Sequence, residues 1–242
     1  LFDQLHDIDF IIINVLLLVY VMRFVKNINI YGNEITEEKV IRNQLEFVEG
    51  DSFSTRKLKN SINRIKSTGI FKDTKYKITE EDNNLVSVDL SVEEQPTGSI
   101  SAGAGYGSTG GLITGSLSEK NLFGTGIASN IEFSLTEDKI TGFIDIINPD
   151  YKNSGNTLKN SIGIIDEDFS NVGYESSKVI ATTSYRYELF EDIYYQPGVL
   201  FDYDKIDVVD TSTNLTNRDG NYFTSAITLS LIHISEPTRP LH

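Results

Sequence analysis

The spacing of apolar positions along this chain changes once, close to residue 95. Before that point, stretches of period two and stretches of period three to four take turns. After it, period two runs on to about residue 230. A period of two marks a strand with one apolar face, and spacing of three and four marks an amphipathic helix. Residues 25–31 alternate and end in the turn signal Gly32-Asn33. Thr36 is placed to cap a helix whose first turn carries Glu37 and Glu38, and Val40, Ile41, Leu45 and Val48 give its stripe. Gly50 closes it. Ser54 or Thr55 starts a second helix with Leu58, Ile62 and Ile65 inside, and Gly69 is its left-handed stop. Strands over 71–79 and 85–92 follow, joined by a turn at 81–84. The order β-α-α-β-β predicts a small two-layer α+β domain over 24–94.

The second part, 95–230, predicts about eight antiparallel strands and no helix. Its first strand, Gly98-Ser99-Ile100-Ser101-Ala102-Gly103-Ala104-Gly105-Tyr106-Gly107, is unusual. Ile100, Ala102, Ala104 and Tyr106 share one face, and the other holds only serine and glycine. Such a strand packs little and is weakly pinned in register, so it either bears a bulge or is built to part from a neighbour. Further strands are expected over 112–122, 127–136, 140–147, 158–165, 179–189, 193–203 and 221–229. Apolar and polar faces of this kind suit a soluble sandwich or an outer-membrane barrel. The connections favour the barrel: tight at 124–126 and 188–192, long and acidic at 166–177 and 204–220. Tyr185, Tyr187, Tyr194 and Tyr195 near strand ends suit an aromatic girdle.

Charge narrows the partners. Residues 24–94 carry 11 Lys and Arg against 13 Asp and Glu, and residues 95–242 carry 9 against 19. An acidic surface argues against nucleic acid. There is no cysteine, and no catalytic set or cofactor motif stands out; His6 is the one histidine before the last residues. The cluster Asp166-Glu167-Asp168 lacks the spacing of a calcium loop, so no metal site is expected. The apolar run 10–22 is too short to span a membrane as a helix and follows Asp3, Asp7 and Asp9, unlike a signal peptide. A strand over 9–15, left from a preceding domain within 1–23, is expected there. The chain opens without methionine and is taken as a fragment. Residues 231–242 break the strand pattern and look like a non-native tail.

Several motifs carry a resemblance. Ile28-x-Ile30-x-Gly32-Asn33, the helix pair, Gly69-Ile70-Phe71 and Val92-Glu93-Glu94 resemble a POTRA (polypeptide-transport-associated) domain. Gly103-Ala104-Gly105-Tyr106-Gly107, Asn121-Leu122-Phe123-Gly124-Thr125-Gly126 and Asn148-Pro149-Asp150-Tyr151 are similar to barrel motifs of BamA-type outer-membrane protein assembly factors. The resemblance implies a POTRA domain in the periplasm, then the N-terminal half of a larger outer-membrane barrel. It implies a non-enzymatic role: assembly and insertion of β-barrel clients, through β-augmentation at a weak lateral seam formed by Gly98 to Gly107. It also implies that Glu49 docks an accessory assembly lipoprotein and that the barrel meets the lipid bilayer; independently, the unpaired edge of the strand bearing Lys72, Lys75 and Lys77 is a docking rail for extended chains, here unfolded outer-membrane proteins. The lysines equally suit edge protection, and Glu49 a plain surface position. Related readings are a two-partner-secretion or TamA-like protein, or a passive outer-membrane channel.

Overall fold

The computed structural model describes residues 22–107, 110–169, 172–209 and 219–233. The strand expected over 9–15, His6 and residues 234–242 lie outside them. The chain forms two units, divided after Pro96.

The first unit has the expected order: β1 (Phe24–Tyr31), α1 (Glu38–Arg42), α2 (Thr55–Ser67), β2 (Phe71–Glu81) and β3 (Leu85–Glu94). β3 is central, parallel to β1 and antiparallel to β2. Val86, Val88, Leu90 and Val92 alternate along β3 and are buried together with Val25, Ile28, Ile41, Leu58 and Ile65. α2 follows the sequence closely, with Ser54 at its N-cap and Gly69 at φ +68 just past its end.

α1 is shorter than the apolar spacing predicts. It ends at Arg42: Asn43 N–H still reaches the Lys39 carbonyl, Gln44 and Leu45 make only tighter turn bonds to Ile41 and Arg42, and amides beyond them find other partners. Glu46 N–H bonds the Ser61 hydroxyl at 2.9 Å, Val48 N–H bonds Asp51 at 3.1 Å, and Gly50 N–H bonds the Val25 carbonyl at 2.7 Å. Val48, expected in the stripe, is exposed. Thr36 is buried and is not the cap; that place falls to Glu37, with no side-chain bond.

The second unit is one antiparallel sheet of eight strands, each paired with its chain neighbours: β4 (Gly98–Gly107), β5 (Gly110–Glu119), β6 (Ala128–Thr136), β7 (Lys139–Asn148), β8 (Thr157–Phe169), β9 (Tyr174–Phe190), β10 (Ile193–Val208) and β11 (Gly220–His233). β4 and β11 are its edges, so this sheet is not closed. Pairing continues through Leu231–His233, past the point where the alternation was expected to fail.

The register puts Ile100, Leu117, Ile131, Ile144, Ile162 and Phe201 in one row on one face. Most large side chains of that face are exposed. The opposite face carries ion pairs, Lys159 with Asp145 at 2.9 Å and Lys178 with Asp204 at 3.4 Å. An exposed apolar face backed by a charged one is the outer-membrane arrangement. Two cross-strand glycines let a ring lie flat on the sheet: a Cβ at Gly115 would sit 2.2 Å from the Phe133 ring, and one at Gly163 would sit 2.3 Å from Phe143.

At the end where β4 begins, two connections are copies of each other. Residues 121–127 and 150–156 each start with an Asx residue near φ −135°, carry a left-handed non-glycine tip (Phe123, φ +53; Lys152, φ +57) and end in a left-handed glycine (Gly126; Gly155). The bonds repeat as well. Gly126 N–H meets Asn121 Oδ1 at 2.8 Å and Gly155 N–H meets Asp150 Oδ1 at 2.7 Å; Leu122 N–H meets the Ile127 carbonyl and Tyr151 N–H meets the Asn156 carbonyl, both at 2.8 Å. At the other end, the segment 166–177 is less of a loop than expected: β8 and β9 stay paired out to Phe169 and Tyr174. Asp166 bonds Ser177 and Glu167 bonds Lys139 there.

The tyrosines divide. Tyr185, Tyr187 and Tyr195 fall on the apolar face, with Tyr187 edge-on to Tyr195 at 5.6 Å. Tyr194 points to the charged face, near Arg186.

Leu58 is wholly buried at the centre of the first unit. Leu58→Ala is expected to cost that unit about 2–5 kcal/mol, read as a lower urea midpoint for residues 22–96 prepared as a separate domain.

Candidate functional site

β4 is the candidate site because it is clamped at its start and carries little else along its length. Its start is clamped. Glu119 accepts bonds from the Thr97 hydroxyl and from Asn121 N–H (2.7 Å), and Lys120 N–H reaches the Thr97 carbonyl at 3.4 Å. Its far half is bare. Every residue from Gly98 to Gly107 is exposed; Ile100 is 82 % exposed and Tyr106 is 87 %. A Cβ at Gly105 or Gly107 would meet nothing within 4 Å. Glycine there is not forced by crowding, so it leaves the strand with little beyond its ladder to β5. Gly98, Ser99, Ile100, Ser101, Ala102, Gly103, Ala104, Gly105, Tyr106 and Gly107 all lie in that ladder, opposite Glu119 back to Gly110.

The lysines lie on β2, an edge of the smaller sheet. The other edge, β1, is already taken along part of its length. Val25 bonds residues 50 and 51 through its carbonyl and N–H, and the Ile28 carbonyl accepts Arg42 Nη2 at 3.0 Å. Lys72 pairs with Glu93 at 2.8 Å and Lys75 with Asp73 at 3.6 Å; Lys77 is on the same strand. β2 is thus the less covered edge, with its cations partly spoken for.

Glu49 lies seven residues beyond the end of α1, not on the helix. Arg42 grips it at 2.9 Å while also holding Glu38 at 2.6 Å. Burial pushes the Glu49 carboxyl up, but its own backbone N–H and the Arg42 guanidinium bring it below its ordinary value. A docking partner would have to share or displace Arg42.

The sequence reading missed Glu94. Its carboxylate, at the end of β3, accepts three successive backbone N–H groups: Glu34 at 3.2 Å, Ile35 at 3.0 Å and Thr36 at 2.7 Å. The signal was there in the turn Gly32-Asn33, whose following amides need an acceptor. Gly32 itself sits at φ +88, and a Cβ on it would come 2.1 Å from the Val92 carbonyl.

Against known proteins, the POTRA family model, described as surface antigen variable number repeat, matches residues 24–95. The outer membrane protein assembly factor BamA of Buchnera aphidicola is 32 % identical over 126 residues, 51 % of this chain and 20 % of that protein. The chain therefore spans about a fifth of that relative's length. Among solved structures, BamA from Haemophilus ducreyi lacking POTRA domains 1–3 superposes with a TM-score of 0.70 at 21 % identity, over 86 % of this chain and 43 % of that one. CdiB from Acinetobacter baumannii superposes at 0.59 and 13 % identity, over 88 % and 44 %. The chain is an outer-membrane protein in which a periplasmic POTRA domain leads into barrel strands. It is similar to BamA-type assembly factors in sequence and in fold.

Burial raises the Glu94 pKa, but the bonds from Thr36, Ile35 and Glu34 outweigh it and hold the carboxyl below its ordinary 4.5. Its stabilisation is therefore full above pH 4.5 and fades as pH falls through the lower folded value. Glu94→Gln is expected to lower the stability of residues 22–96 by about 1–2 kcal/mol at pH 7, with the gap closing in acid. Urea titrations of both proteins along the pH scale check this; a gap that stays constant into acid counts against it.

Proposed function

We propose that the protein of which this chain is part inserts β-barrel clients into the outer membrane, with β4 as the strand that opens to receive them. One observation carries the reading: β4 is clamped at its start through Thr97 and Glu119, is exposed along its length, and has nothing against Gly105 and Gly107. Parting such a strand from a neighbour loses backbone hydrogen bonds and little else. An incoming client strand restores those bonds by β-augmentation. The work is mechanical and uses no catalytic group or cofactor.

Other parts take supporting roles. The β2 edge with Lys72, Lys75 and Lys77 offers extended clients a first ladder before they reach the membrane. Glu49, with Arg42, offers an accessory lipoprotein a charged contact. The likeness to CdiB rests on fold alone, so secretion through a related barrel is the second reading, and a passive channel is the third.

A disulfide in the full-length parent separates them. One cysteine replaces Ser101 and the other a facing residue of the last barrel strand. Oxidation is expected to stop client barrels from appearing in the outer membrane while the locked protein stays folded, and reduction should restore them. Locked protein that assembles clients at the normal rate would remove β4 from this role and raise the secretion and channel readings.

A further inference from the structure

The copied turns at 121–127 and 150–156 put Phe123 and Lys152 at equivalent tips, and neither residue suits its backbone. Both sit at positive φ, where glycine or asparagine is at ease and a bulky side chain is strained. Phe123 is also 88 % exposed. An apolar ring held in a strained conformation in open water satisfies nothing within the chain.

Their surroundings supply what is missing. Tyr151, beside Lys152, stands edge-on to Tyr185 at 6.4 Å, and Tyr185 continues to Tyr187 at 6.0 Å. This line of rings runs along the apolar face at the end where β4 begins, and Lys152 Nζ lies 5.3 Å above the Tyr151 ring. Tyrosines gather at the level of lipid headgroups, where one part of the ring is wet and the other is not. The 150–156 turn ends that line through Tyr151, and its copy at 121–127 lies at the same end of the sheet, so both tips lie near the same boundary. An amine over the last ring fits lipid phosphate, and an exposed phenyl fits the acyl–glycerol layer.

We propose that the two turns are a membrane anchor. Phe123 enters the periplasmic leaflet of the outer membrane and Lys152 meets its phosphates, fixing the depth of β5 to β8. The occupant is phospholipid, because the surface is continuous with the tyrosine line of the lipid-facing side. The anchor needs only outer-membrane placement, so it stands or falls apart from the role of β4.

The test uses the full-length parent in bilayers of phosphatidylethanolamine and phosphatidylglycerol. A spin label on Phe123→Cys is compared with one on Asn83→Cys, in the exposed turn between β2 and β3. Accessibility to oxygen relative to a water-soluble nickel chelate should be about threefold or more higher at 123 than at 83. As a second probe that keeps the ring, Phe123→Trp should add fluorescence that is quenched by acyl-brominated phospholipid. Equal nickel access at both positions overturns the anchor. So does protection of position 123 from both reagents without bromine quenching, which would mean a protein partner covers it.

Discussion

Inside a bilayer no water is at hand to satisfy a strand edge, so each strand needs a neighbour on both sides. Everything in the larger sheet turns on how firmly each neighbour is held. β5 to β10 are each paired twice, and at two places a ring from a neighbouring strand covers a glycine, Phe133 over Gly115 and Phe143 over Gly163. In β4 the same residue type is left uncovered at Gly105 and Gly107. What a glycine does to the sheet therefore depends on what lies opposite: a ring closes over Gly115 and Gly163, and nothing closes over Gly105 or Gly107.

The larger part of this architecture was legible in the chain. Alternation gave all eight strands, since a one-sided apolar face forces period two, and the helix stripe Leu58, Ile62, Ile65 was buried as spaced. The failures have separate causes. α1 is shorter than Leu45 and Val48 imply, because Glu46 N–H turns to Ser61, an acceptor brought in by folding, and Val48 N–H turns to Asp51 three residues on. Tyr194 was grouped with Tyr195, although adjacent strand residues must face opposite ways. The strand ends at 166–177 read as loop because their side chains are acidic, yet backbone pairing does not depend on that.

The site was legible only in outline. Its glycine and serine content marked β4, but the clamp through Glu119 joins residues 22 positions apart, and the Glu94 cradle joins residues nearly 60 apart. Contacts at such separation leave no local period. The twin turns did leave one, an Asx residue with glycine five positions later in each, and it shows once the two segments are aligned.

The chain leaves the POTRA domain from β3, the central strand, whose last residue also ties down the loop after β1 through three backbone bonds. Any tension drawn through residues 95–97 therefore arrives along a strand flanked on both sides. It loads two ladders in shear, many hydrogen bonds at once, instead of peeling one edge rung by rung. The chain thus passes to the larger sheet from the one strand that carries both ladders of the domain.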